Sequence, residues 1–197
     1  MSEKNLYFNG MVDILAITQK QKNIKNLDQS IEKSTGDAAL EVSTKSMDPI
    51  GVQLSAFELK VGNSYLENIF QSSKKYENGG PYLDLLNVSP KDAKKDERHK
   101  NSGRLISFIQ DGIEWPLEPK TAFYDYIYVL AVIEKFGKNL DLSEYSWFTD
   151  IEFNPSKSIN CQARAIAIYK LIQEKAAFHV LKDKDEWVGF HISNVVS

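Results

Sequence analysis

The sequence predicts an α+β fold, a mainly helical single domain with a small β-sheet. Three stretches point to it. Residues 121–136, TAFYDYIYVLAVIEKF, are apolar nearly all round and close on Gly137, the pattern of a helix buried in a core. Leu105-Ile106-Ser107-Phe108-Ile109 and Ile113-Glu114-Trp115 flank Gln110-Asp111-Gly112, and an Asp-Gly pair between β-rich runs signals a hairpin. Residues 64–81, SYLENIFQSSKKYENGGP, read as one short helix that Ser64 caps and Asn78-Gly79-Gly80-Pro81 ends.

With 197 residues one domain is expected, large enough to bury roughly 70% of its unfolded surface. Residues 1–36 are expected to form a strand-and-helix extension packed on a core domain of residues 37–197. The net charge of −3 argues against nucleic-acid binding through the global field, so such contact needs a local patch. The single Cys161 excludes an internal disulfide and fits a reducing cytoplasm, the expected location. His99, His179 and His191 lie far apart without zinc spacing, so neither a metal nor another cofactor is expected. No uncharged apolar run approaches the roughly 18 residues of a membrane span, and the N-terminus lacks a signal-peptide core.

In chain order, residues 6–17 are apolar enough for a short strand or for packing over the core, and Thr18 then caps a polar surface helix that Gly36 ends. Leu40 to Thr44 alternates as a strand. Asp48-Pro49 makes a turn, and Val52 to Leu59 follows as another extended piece, with Ser55 and Phe57 on one face. A sheet is expected from 40–44, 52–59 and 104–115. On the 64–81 helix Glu67, Gln71 and Lys74 share a stripe, putting a carboxylate, an amide and an ammonium in mutual reach. Glu67 serves equally well as the far half of a capping box. Ser89-Pro90 is a helix start. The segment after it, with Lys94, Lys95, Arg98 and Arg104, is the densest basic region. It reads either as a salt-bridged solvent helix or as the surface that would hold DNA near the site.

Pro116 and Pro119 force an extended link into the buried helix. Leu140 to Glu144 opens a short helical piece, and Asp150 and Glu152 precede a loop turned by Asn154-Pro155. Ser158 is then expected to cap a helix running to about Glu174, with Asn160 and Arg164 one turn apart at its start. Free N–H groups at that end, with Lys157 and Ser158 nearby, suit a phosphate. Residues 179–197 show no clear pattern.

Leu54-Ser55-Ala56-Phe57, followed about ten residues later by Glu67, Gln71 and Lys74, resembles the NADAR family. Trp115 with Lys120, and Asp150 before Asn160-Cys161-Gln162-Ala163, follow that family's order, so the likeness covers most of residues 40–173. Its members are N-glycosidases acting on ADP-ribose-type or ribosylamino compounds, and the subgroup paired with DarT-type DNA ADP-ribosyltransferases is the most similar. The resemblance implies Glu67 as catalytic carboxylate, with Asp150 positioning the ribose hydroxyls or sharing the water. It implies a substrate pocket of Ser55, Phe57, Gln71, Lys74, Trp115, Lys120, Ser158, Asn160 and Arg164. Trp115 reads equally as a hairpin core residue and Phe57 as core packing. The helix dipole favours a charged Glu67, hence a base or cation-stabilising role, while Lys74 neutralises phosphate or sets that ionisation. The glycine-rich W-G-x-G-x-G loop of the YbiA-type members is replaced here by FTDIEFNPSKS, so their substrate does not carry over. The expected activity is release of ADP-ribose from a modified nucleobase, guanine in DNA first, counteracting a DarT-type toxin with no direct contact implied. The alternatives are a binding module that sequesters toxin or ADP-ribose, and an N-glycosidase of riboflavin-pathway intermediates.

Overall fold

The computed structural model describes residues 3–156 and 158–195. The chain opens with α1 (Glu3–Thr35), β1 (Ala38–Glu41), α2 (Pro49–Gln53), β2 (Lys60–Val61), β3 (Ser64–Tyr65), α3 (Leu66–Ser72) and β4 (Lys74–Tyr76). It continues with α4 (Pro90–Lys95), α5 (Arg98–Asn101), β5 (Leu105–Gln110), β6 (Ile113–Trp115), α6 (Ala122–Phe136), β7 (Tyr145–Thr149), α7 (Gln162–Glu174) and α8 (Lys184–Asn194). Short 3₁₀ turns at Leu83–Asn87 and Phe178–Lys182 complete it. The fold is α+β and mainly helical, and among the described residues no helix is long and apolar enough to cross a membrane.

Helix α6 is the centre. Nine of its residues are buried, among them Phe123, Tyr124, Asp125, Ile127 and Tyr128, because almost no polar stripe exists to face water. It packs on α7 and α3, and Trp187 of α8 closes the core by donating its indole N–H to Ala122 O at 2.8 Å. The hairpin forms as its sequence dictates. Asp111 (φ 50°) and Gly112 (φ 79°) take the left-handed conformations of a tight turn between β5 and β6. Ser89 caps α4 by accepting from Asp92 N at 3.1 Å, with Pro90 at the first helical position.

Several local expectations are overturned. The strands form three small sheets rather than one: β1 beside β7 in parallel, β2 with β3, and β4-β5-β6. Residues 6–17 are helical within α1, which runs through Thr18 without a cap, since a lone Gly10 costs a helix only about 1 kcal/mol. Residues 52–59 are not a strand. The Asp48 side chain accepts from Ile50 N at 2.9 Å with Pro49 behind it, which starts α2, and turns follow. The helical piece at 140–144 is a turn, because the Asp141 carboxylate takes both the N–H and hydroxyl of Ser143.

The 64–81 helix is also cut down. Ser64 belongs to β3 and Tyr65 is the N-cap without a side-chain bond, so the capping box does not form. The chain leaves α3 at Ser73 because Lys74–Tyr76 is claimed by β5, Lys74 pairing with Phe108 and Tyr76 with Leu105.

The junction under β1 is tight. A Cβ on Gly51 of α2 would lie 2.1 Å from Glu41 O and 2.4 Å from Ser46 Oγ. Gly51→Ala is therefore expected to cost about 1–3 kcal/mol, read as a lower urea midpoint at unchanged slope. An unchanged midpoint would show that α2 moves away freely.

Candidate functional site

Every residue of α3 is buried, which sets polar Glu67 and Gln71 against the core. Glu67 is 6% exposed and Gln71 4%. A buried carboxylate needs donors, and Gln71 provides one: its Nε2 donates to Glu67 Oε1 at 2.7 Å. Lys74 Nζ donates to Gln71 Oε1 at 2.6 Å, so a relay of Lys74, Gln71 and Glu67 crosses from β4 into α3. Lys74 also lies 4.9 Å above the Phe70 ring centroid. Burial lowers its ammonium to a pKa of about 8, opposed by Glu67 and reinforced by the nearby Lys94.

Asp150 follows β7, whose parallel pairing with β1 fixes its position: Glu41 pairs with Thr149. The buried Glu41 accepts from Thr149 Oγ1 at 2.6 Å and from Ile151 N at 2.8 Å, clasping the chain on both sides of Asp150. Farther out, Glu152 takes Lys20 of α1 at 2.6 Å and Thr44 at 3.1 Å. Burial raises the Asp150 pKa above the usual carboxylate value. A hydrogen bond from Gln162 and another from Glu152 N oppose that, and Glu41 adds to it. Gln162, at the start of α7, also accepts from Ala56 N at 2.8 Å, which joins α7 to the segment of Ser55 and Phe57.

Tyr124 of α6 packs against α3. It meets the Phe70 ring edge-on at 5.3 Å between centroids. Its phenol is held well above the usual range by burial first, then by Glu67, Tyr128, Asp125 and, least, Asp150. Sequence reading assigned Tyr124 only to the apolar core and passed over Gln162 and Glu41. Tyr124 and Tyr128 at i, i+4 on a largely apolar helix were the available signal, but position and charge environment come only with the fold.

Other expected site residues fall elsewhere. Trp115 is 3% exposed and packs against Tyr126 at 4.5 Å and Phe123 at 5.4 Å, so it is the hairpin core residue and its ring is not free to stack on a base. Ser55 is fully buried in the turn after α2, while Phe57 is 38% exposed, so the two do not line one strand face. Lys120 is exposed and its N–H donates to Glu118 Oε2 at 3.0 Å. Ser158 does not cap α7, which starts at Gln162 with Cys161 as N-cap. Asn154 instead turns the preceding loop, accepting from Ser156 N and Ser158 N at 3.0 Å each, and Asn160 is half-buried at the loop's end. Lys157 lies outside the described residues. Arg164 is committed to the core: its guanidinium binds the fully buried Asp125 at 2.9 Å and also contacts Thr121.

The basic segment divides. Arg98 is held by Asp84 at 2.7 Å and Asp96 at 2.8 Å and stacks on Tyr82 at 4.4 Å, a structural cation rather than a free DNA contact. Arg104 is 81% exposed and paired with Glu77 at 2.9 Å. Lys94 and Lys95 are exposed. A separate depression of about 420 Å³, between residues 139–143 and Lys170, Gln173 and Glu174, contains none of the site residues.

Comparison with known proteins gives one family. A family model described as the DarT1-associated NADAR antitoxin matches residues 3–196. No curated protein matches the chain.

Proposed function

The chain belongs to the DarT1-associated NADAR antitoxin family, and from that premise we propose that it is an ADP-ribose N-glycosidase. Its proposed substrate is an ADP-ribosylated nucleobase, guanine in DNA foremost, so that it undoes the product of a DarT-type transferase. The observation that carries the reading is the Glu67–Gln71–Lys74 relay, in which a buried carboxylate is linked through an amide to a half-buried ammonium.

Hydrolysis breaks the bond between ribose C1 and the base nitrogen. The bonding pair leaves with the nitrogen, C1 becomes cation-like, and a water oxygen bonds to C1. Glu67 steadies that cation and accepts the water's proton. The departing nitrogen must regain a proton, and Asp150, which burial helps to hold its own, is suited to provide it or to fix the ribose hydroxyls. Lys74 keeps Gln71 oriented toward Glu67 and adds positive charge for a phosphate.

The test is incubation with guanine-ADP-ribosylated DNA and measurement of free ADP-ribose. Wild type is expected to release it, and Asp150→Ala to lower kcat/KM by roughly 10-fold or more through lost positioning. Binding of ADP-ribose with no release by wild type would replace this reading with that of a sequestering module.

A further inference from the structure

Helix α1 is anchored at two points to the strand that delivers Asp150. At its exit, Trp147 of β7 donates its indole N–H to Asp37 Oδ2 at 3.3 Å. Within α1, Lys20 and Ile24 lie one turn apart on one face. Ile24 is 1% exposed, and Lys20 Nζ reaches Glu152 Oε1, just beyond β7, at 2.6 Å. Among the described residues this is the only ion pair that α1 makes.

Glu152 joins three parts of the chain. Its Oε2 accepts from Thr44 Oγ1 at 3.1 Å, in the segment after β1, and its own N–H donates to Asp150 Oδ1 at 3.1 Å. Burial works against the Glu152 charge, but Lys20, aided by Thr44 and Lys45, outweighs it and holds the pKa below the usual carboxylate value. The side chain is thus tied at both oxygens while its backbone aims a donor at Asp150. A partly exposed ion pair ordinarily contributes little to a fold. This one fixes the residue whose N–H orients Asp150. Glu41 clasps the same loop from inside, at Thr149 Oγ1 and Ile151 N, yet neither of those bonds ends on the Asp150 carboxylate.

We propose that α1 is a strap on the Asp150 loop and that Lys20, acting through Glu152, is a positioning residue for Asp150. The N-terminal helix is then part of the working site rather than an appendage to it. The catalytic consequence rests on the hydrolase reading, while the strap itself does not.

The test compares full-length wild type with Lys20→Met and Lys20→Arg, and repeats Lys20→Met in an Asp150→Ala background. Release of ADP-ribose from guanine-ADP-ribosylated DNA gives kcat/KM, and amide hydrogen exchange over residues 149–153 reads the loop. Lys20→Met is expected to lower kcat/KM about 3–5-fold and to speed exchange at Glu152 N by about the same factor. Lys20→Arg keeps the charge and should stay within about 2-fold of wild type on both readouts. With Asp150 already replaced, Lys20→Met should have no further effect on kcat/KM, because its route to the chemistry is gone. Equal losses in the two backgrounds, or faster exchange with unchanged kcat/KM, would overturn the positioning role. Unchanged exchange in Lys20→Met would overturn the strap. No release by wild type would sink the hydrolase reading and the catalytic consequence with it, and faster exchange in Lys20→Met would then leave the strap standing alone.

Discussion

Glu67→Gln is expected to bind ADP-ribose and keep its fold while losing roughly 10²-fold or more in ADP-ribose release. The substitution keeps the side chain's shape, and its amide oxygen can still accept from Gln71 Nε2, a bond of 2.7 Å in the wild type. What is lost, on the proposed mechanism, is the full negative charge that steadies the cation and the capacity to accept a proton. Stability should change by less than about 1 kcal/mol, because the site is not left with an obligatory unpaired cation. Lys74 has a pKa near 8 already, and without the opposing carboxylate it can shed its proton. Release of ADP-ribose from modified DNA checks the rate and denaturant titration the fold. Co-expression with a DarT-type toxin gives the cellular form of the test. Growth rescued by Glu67→Gln at wild-type protein level would remove the carboxylate from the mechanism.

Asp125→Ala is expected to lose about 3 kcal/mol of stability, roughly 6–12 °C in Tm. Asp125 has no exposed surface, and its Oδ2 accepts from Thr121 Oγ1 at 2.8 Å, Arg164 Nη2 at 2.9 Å and His191 Nε2 at 2.9 Å. One carboxylate oxygen thus ties α6 to α7 and α8. Truncation removes the acceptor that the Arg164 guanidinium and the His191 imidazole share, leaving the guanidinium only Thr121 Oγ1. Arg164 keeps 37% of its side chain in solvent, which places the loss at the low end for a broken buried pair. Asp125→Asn, which retains an acceptor oxygen, should lose less than half as much. Equal melting of wild type and Asp125→Ala would mean that packing of α6 alone holds the three helices. Because Gln162 begins the same helix as Arg164 and bonds Asp150, Asp125→Ala should also reduce activity below the melting range.

The amino-acid sequence by itself determined the features whose energetics close within a few residues. The all-round apolar run became α6, Asp111-Gly112 turned the hairpin, Ser89-Pro90 started α4 and Gly36 ended α1 with φ 80°. Side-chain spacing likewise brought Gln71 to Glu67 one helical turn away. The ordered motifs also carried the family resemblance, which the match over residues 3–196 bears out. Only the tertiary structure decided the rest. Lys74 left the helical stripe because β5 claimed it as a strand residue, yet it still reached Gln71 around the helix end. Asp150 was set by Glu41, whose bonds to Thr149 and Ile151 span 108 and 110 residues. Arg164, expected at the substrate, was taken by Asp125, Arg98 followed the salt-bridged reading of its segment with Asp84 and Asp96, and Trp115 turned inward. A cap or a turn is chosen by neighbours in the chain. A buried charge takes whichever partner the fold brings within about 3 Å, since leaving it unpaired costs more than any local preference.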